Sequence, residues 1–276
     1  MRIILIIIFI VFPFVQVLCQ GEDYARLIKQ GMEELQRDSL HKAESILLQA
    51  IDERPTEQSS AVLYQYVGQI RVRQKRYDEA LQAFNTGLTL VPNMQGMLMD
   101  RASLYLQLRN NSKALDDLND LLVLNSENTE ALFYRAFIYS AQHLNAKARS
   151  DYERLLILQP RHKEGRLGMA LLCDNDRRPL EAMEHMDVLL RYWPDDATVY
   201  AVRSGMYQKR RQYQQALADI NHALTLESDN PDFYISRALL YKDFKKNALA
   251  LADFRTAIEL GASAEECAAM MLDAEE

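Results

Sequence analysis

Five histidines, three cysteines and 39 acidic residues are the groups of this chain that could bind a metal or act as nucleophile, acid or base. Their spacing is therefore the first thing to read. His41, His143, His162, His185 and His222 show no His-Glu-x-x-His pattern or other metal-ligand spacing. None of them pairs with a Cys and an Asp as a nucleophile arrangement requires. Gly165 and Gly168 would serve a phosphate only in a loop after a strand, and they fall inside a helical stretch. The acidic run Asp116 to Asp120 reads as a solvated helix face. Asn110-Asn111-Ser112 fits a glycosylation acceptor in a predicted turn, with meaning only in a eukaryotic source. The expectation is a protein that is not an enzyme: no catalytic residue, no metal ligand and no cofactor.

Composition limits the alternatives. With 49% hydrophobic and 26% charged residues the chain is that of a folded protein, and nine Gly and seven Pro in 276 residues leave helix as the favoured state. A net charge of −7 argues against nucleic acid, whose binding needs a basic surface that displaces counterions.

The first nineteen residues, Met1 to Cys19, have one basic residue, an apolar run from Ile3 to Val15 and a small-residue exit. That is the layout of a secretory signal peptide. The run is interrupted by Pro13 and is shorter than the roughly 20 apolar residues that span a bilayer. Cleavage after Cys19 is expected, leaving Gln20 first in an exported chain, periplasmic or secreted. A lipid anchor on Cys19 is the rival, although Leu18 stands where lipoproteins carry Gly, Ala or Ser; an uncleaved anchor helix is a third option. Cys173 and Cys267 then remain, too few for a disulfide framework, and each reads as a small buried hydrophobe.

The elements that would position any site are repeated. Copies of 34 residues start near 24, 61, 95, 129, 163, 197 and 231, with three residues inserted between 56 and 60. The twentieth place is always Ala (Ala43, Ala80, Ala114, Ala148, Ala182, Ala216, Ala250). The eighth is always small (Gly31, Gly68, Ala102, Ala136, Ala170, Ser204, Ala238). Small residues at two such places let antiparallel helices approach closely. Large apolar groups such as Phe84, Leu118, Tyr152 and Phe254 at the twenty-fourth place fill the space between layers. Pro55, Pro92, Pro160 and Pro194 stop the second helix. Arg101, Arg135, Arg203 and Arg237 at the seventh place accompany Asp117, Asp151, Asp219 and Asp253 at the twenty-third, which suggests an ion pair between helices or merely a common ancestry of those copies.

A period of 34 with this pattern resembles the tetratricopeptide-repeat family over Tyr24 to about Ala262. The resemblance implies an all-α, right-handed superhelical solenoid of seven helix-turn-helix repeats over residues 20–262, with a concave groove. A single hairpin cannot bury its own apolar face, so neighbours bury one another. Residues 263–276 supply a C-terminal capping helix, with Ser263 and Glu266 spaced as a capping box. The fifth copy has Met169, Cys173 and His185 where its relatives have Arg, Tyr and Asp; with its two glycines it reads as a softer joint after the fourth copy, or as drift.

By the same resemblance the groove is lined by Tyr66 with Gln65 and Gln69, by Met99 with Asp100 and Ser103, by Phe133, Tyr134 and Phe137, and by Leu167 with Leu171. Ile235 and Leu239 follow in the last copy. An aromatic and aliphatic stripe is the mark of a site for an apolar or amphipathic peptide or helix of a partner; a dimer through the same face is the competing use. The Lys and Asn that grip a C-terminal carboxylate in some family members are missing. The expectation is therefore a scaffold in the cell envelope, monomeric or weakly dimeric, that binds a protein or peptide. An accessory subunit contacting its partners through the convex face is the alternative.

Overall fold

The computed structural model describes residues 23–275; the expected leader, residues 1–19 with Cys19, lies outside them, as do the side chains beyond Met271. Every element among the described residues is a helix: α1 (23–36), α2 (Leu40–Glu53), α3 (Ser59–Arg73), α4 (Tyr77–Leu90), α5 (Gln95–Gln107), α6 (Asn111–Leu124), α7 (Thr129–Ala141), α8 (Asn145–Leu158), α9 (Lys163–Asn175), α10 (Pro179–Tyr192), α11 (Ala197–Lys209), α12 (Tyr213–Leu226), α13 (Pro231–Asp243), α14 (Asn247–Glu259) and α15 (Ala264–Glu275). They pair in sequence as seven hairpins, each with a first helix A and a second helix B. Each of the four prolines lies two residues beyond the end of its B helix. The chain divides into two compact units, one running to Arg135 and the other beginning at Ala136. The division falls within α7, the first helix of the fourth copy, and not after that copy.

The two invariant small places do what their size suggests. All seven alanines at the twentieth place are fully buried. A Cβ added to Gly31 would come within 2.7 Å of Leu47, and one on Gly68 within 2.3 Å of Phe84. Both are contacts between the eighth and twenty-fourth places of one copy. Ser204, the one polar residue of the eighth-place set, donates its hydroxyl to the Ala216 carbonyl at 2.7 Å and so is satisfied in the core. The glycines of the fifth copy serve the same close approach: Gly168 stands where a Cβ would strike the Tyr152 ring and hydroxyl, and Gly165 where it would strike Leu155.

Each A helix ends in one turn type. The residue at the fifteenth place of every copy, Asp38, Lys75, Arg109, His143, Arg177, Arg211 and Lys245, has φ between 56° and 61°. Paired backbone bonds such as Arg211 N–H to Gln208 O (2.8 Å) and Gln212 N–H to Tyr207 O (3.0 Å) make each a Schellman motif. None of these residues is Gly. The left-handed conformation costs an L-residue roughly 1–2 kcal/mol, partly offset because five are cationic at the negative end of a helix. Arg211→Gly, at an exposed site, is expected to raise stability by about 0.5–1 kcal/mol, read from the urea midpoint.

The arginines of the seventh place are clamps. Arg101 donates to both Asp117 oxygens, at 2.9 and 2.6 Å, and its remaining nitrogen reaches Asn85 of the preceding copy at 2.6 Å. Arg203 holds Asp219 at 2.8 Å twice and reaches Asp187 at 3.5 Å; Arg237 holds Asp253 at 2.8 Å twice and reaches Asn221 at 2.9 Å. One side chain thus joins A to B within a copy and also ties the copy to the one before. Arg135 makes the backward bond too, to Asn119 at 2.9 Å.

Junctions between copies come in two kinds. Where the eleventh place is Tyr105, Tyr139, Tyr207 or Tyr241, the twenty-first place of the preceding copy is Leu81, Leu115, Met183 or Leu217. Where the eleventh place is Arg71 or Cys173, the twenty-first is charged, Glu44 or Arg149. Buried Glu44 accepts from Arg71 at 2.7 Å and Arg76 at 2.6 Å. Burial pushes its carboxyl up, but the hydrogen bonds and charges of the two arginines outweigh this and hold it below the ordinary value. A lowered carboxylate pKa stabilises above the unfolded value and loses that stabilisation as pH falls through the folded one. Glu44→Gln is therefore expected to cost about 2 kcal/mol at pH 7, and the gap from wild type should narrow below about pH 4 in urea titrations followed by circular dichroism.

At the other charged junction Arg149 lies 3.0 Å from Glu181 and 3.5 Å from the Cys173 sulfur. Cys173 is buried, as expected, but beside charges. In this copy Arg166, from the fourth place, comes within 3.4 Å of His185 and replaces the missing clamp. Burial and the facing Arg166 push the His185 imidazole below its ordinary pKa.

The last copy is covered by α15. Cys267 is fully buried against Phe254 and Ala250, with Met270 and Met271 beside it, and Ser263 Oγ accepts the Glu266 N–H at 3.3 Å. Ile235 and Leu239, both half-buried, pack against this cluster, so part of their surface serves the cap.

Candidate functional site

The A helices bury one side and leave another half-covered. In α3 the buried set includes Leu63, Val67 and Ile70, which leaves Gln65, Tyr66 and Gln69 on the partly exposed side. In α5 burial of Met97, Leu98, Ala102 and Tyr105 likewise leaves Met99, Asp100 and Ser103. The period of 3.6 residues separates the two sets on each helix.

Within the first unit these residues form an organised surface. Gln65 and Gln69 both donate their side-chain amides to Asp100 Oδ2, at 2.6 and 2.7 Å, across the gap between the second and third copies. Beside them lies a cavity of about 380 Å³ lined by Gln69, Val72, Phe84, Asp100, Ser103 and Leu104. Two further residues at its rim are engaged elsewhere: Arg73 with Asp38 and Gln107 with the Tyr77 hydroxyl at 2.8 Å. Phe133 and Tyr134 stand with ring centroids 5.3 Å apart, tilted by 58°. Tyr66 packs partly against the core of the first two copies, so part of its aromatic surface is structural.

In the second unit Phe137 is 55% exposed and Leu171 39%, with Leu167 half-buried. Phe137 is the most exposed aromatic of the group that the sequence singles out. The Gln–Asp–Gln bridge was not foreseen; its residues lie on the lining places, but nothing local says that they bond across 31 and 35 residues.

Among the described residues no group of His, Cys, Asp and Glu could hold a metal. No described helix is long and apolar enough to cross a membrane. At the places where a carboxylate clamp carries Lys and Asn the first unit has Gln65 with Gln69 and Met99 with Ser103, beside the Asp100 carboxylate.

These helices define an all-α helical-repeat solenoid, a fold suited to protein–protein interaction. Its neighbours among solved structures are tetratricopeptide-repeat proteins, which supports that family for this chain. A tetratricopeptide repeat protein from Parabacteroides merdae is similar at 26% identity, over 93% of this chain and all of the other, with a TM-score of 0.77. YrrB, a TPR protein with an unusual peptide-binding site, aligns at 17% identity over 69% of this chain and 97% of its own, with a TM-score of 0.59. The Cut9–Hcn1 hetero-tetramer of the APC/C aligns at 16% identity over 92% of this chain and 48% of that one, with a TM-score of 0.66. No family model and no curated protein matches the sequence.

Proposed function

We propose that this protein is a non-enzymatic interaction scaffold that takes a peptide or helix of a partner protein on the exposed side of its A helices. The observation that carries the reading is the set of incompletely covered aromatics on α7. Phe133 and Tyr134 are half-buried and Phe137 is mostly exposed, although the same helix buries Leu132, Ala136 and Ile138 completely or nearly so. Partly wet aromatic rings lose water on binding and carry a large share of interface energy. The peptide-binding site named for YrrB is in keeping with such a use of the fold.

The test is affinity capture from source cells with the wild-type chain beside a Phe133, Tyr134, Phe137 triple alanine variant whose helicity is verified by circular dichroism. A partner held by the first and lost by the second supports this surface. Equal capture by both would favour an accessory subunit that binds through its B helices. That second reading has its own observation: Val123 on α6 is 83% exposed and Ile157 on α8 is 78% exposed, and both occupy the twenty-ninth place of their copies.

The scaffold is further proposed to work outside the cytoplasm, in the envelope or secreted, on the strength of the leader pattern in residues 1–19. Protein recovered from its source should begin at Gln20. A lipid on Cys19 would appear instead as a blocked, mass-shifted N-terminus, and an intact Met1 would refute export by cleavage.

A further inference from the structure

Asp100 is a carboxylate held in position without being neutralised. The amides of Gln65 and Gln69 both donate to Oδ2, and among the described residues no basic side chain pairs with it. Neutral amides orient a carboxylate but leave its full charge. Arg73, the cation nearest in the cavity lining, is taken by Asp38 on the α1–α2 turn. The cavity wall continues from Asp100 onto half-buried Val72, with Leu104 and Phe84 buried behind it, so a charged end and a short apolar wall lie side by side.

The repeat adds a second observation. Tyr66, Asp100 and Tyr134 occupy the same sixth place in three consecutive copies, 34 residues apart, and all three are only half-buried. The row is aromatic, anionic, aromatic. Aromatic faces attract cations as well as apolar groups, and the long methylene stem of Lys or Arg suits an apolar wall beside a carboxylate.

We propose that Asp100 and the cavity beside it seat one lysine or arginine side chain of a bound peptide. The inference rests on the peptide-binding reading above and gives it a charge preference. Packed helices lie roughly 8–10 Å apart, about three residues of extended chain at ~3.3 Å each. The ligand pattern is therefore a basic residue with an apolar residue three positions away on one or both sides.

Random twelve-residue peptides displayed on phage, panned against the intact chain and against its Asp100→Asn and Asp100→Lys variants, test this directly. Wild type should enrich Lys or Arg three positions from an apolar residue, and Asp100→Lys should enrich Asp or Glu. A fluorescein-labelled copy of the most enriched wild-type dodecamer should bind Asp100→Asn at least tenfold more weakly, while Asp100→Glu retains binding. Enriched peptides without excess basic residues, or equal binding to Asp100→Asn, overturn the cationic seat. If those same peptides are lost on the Phe133→Ala, Tyr134→Ala variant, the groove reading still stands. Recovery of no peptide from folded wild-type chain would count against both.

Discussion

Arg101→Met is expected to lower stability by about 3–5 kcal/mol at pH 7, the usual cost of removing one partner of a buried ion pair. Asp117 is 2% exposed, and without the guanidinium its carboxylate keeps no counter-charge in the core. Burial already pushes the Asp117 carboxyl above its ordinary pKa with Arg101 in place, while the hydrogen bond to Asp117 raises Arg101. Desolvation therefore outweighs attraction at the acid, and the variant's Asp117 should titrate higher still. A folded pKa raised above the unfolded one means that the folded state takes up the proton first, so the deficit should shrink as pH falls toward the ordinary carboxylate range. The double variant Arg101→Met, Asp117→Leu should return to within roughly 1 kcal/mol of wild type. Urea titrations of the three chains at pH 7 and pH 5 check both parts, and an undiminished loss in the double variant would contradict the account.

Phe84→Ala should cost a similar amount, about 3–5 kcal/mol, because the ring is fully buried and lies against the backbone of Gly68. The converse change is the more diagnostic. Gly68→Ala gains about 1 kcal/mol in helix propensity, yet its Cβ would sit 2.3–2.8 Å from three ring carbons of Phe84. Overpacking of this kind costs typically 1–3 kcal/mol, so a net loss is expected. Gly68→Ala combined with Phe84→Leu should recover most of it, since the smaller side chain vacates the contested space. Midpoints of thermal and urea unfolding for the two single variants and the pair would show whether the eighth and twenty-fourth places are coupled as the contact requires.

Much of this was legible because the repeat reads itself out. Ala at every twentieth place and a small residue at every eighth can recur only if something forbids size there, and the Gly31–Leu47 and Gly68–Phe84 contacts supply the reason. The joint occurrence of Arg and Asp suggested an ion pair between helices; that it closes within a copy only the geometry shows. Its backward bond to Asn85 or Asn221 was hidden because Asn at the twenty-fifth place looks like any solvated helix residue. The polar junctions at Glu44 and Arg149 escaped for a related reason: a single sequence shows a charge but not its partner 27 or 32 residues away. On the A-helix side the lining places of the first unit are partly exposed, and so are Ile235 and Leu239, which also contact the cap because α15 stacks on the seventh copy. The glycines of the fifth copy also have a packing use hidden from the sequence, as spacers that admit Tyr152 and Leu155.

The backward reach of the clamp also says how such a chain can change its length. Arg203 and Arg237 each point at the twenty-fifth place of the copy before, Asp187 and Asn221 in turn. Excision of residues 197–230 would bring Arg237 to face Asp187 and leave its grip on Asp253 untouched. A gene that loses or duplicates residues 197–230 therefore meets the same three-way grip at the new seam, and a lineage can lengthen or shorten its surface by that unit without first inventing a junction.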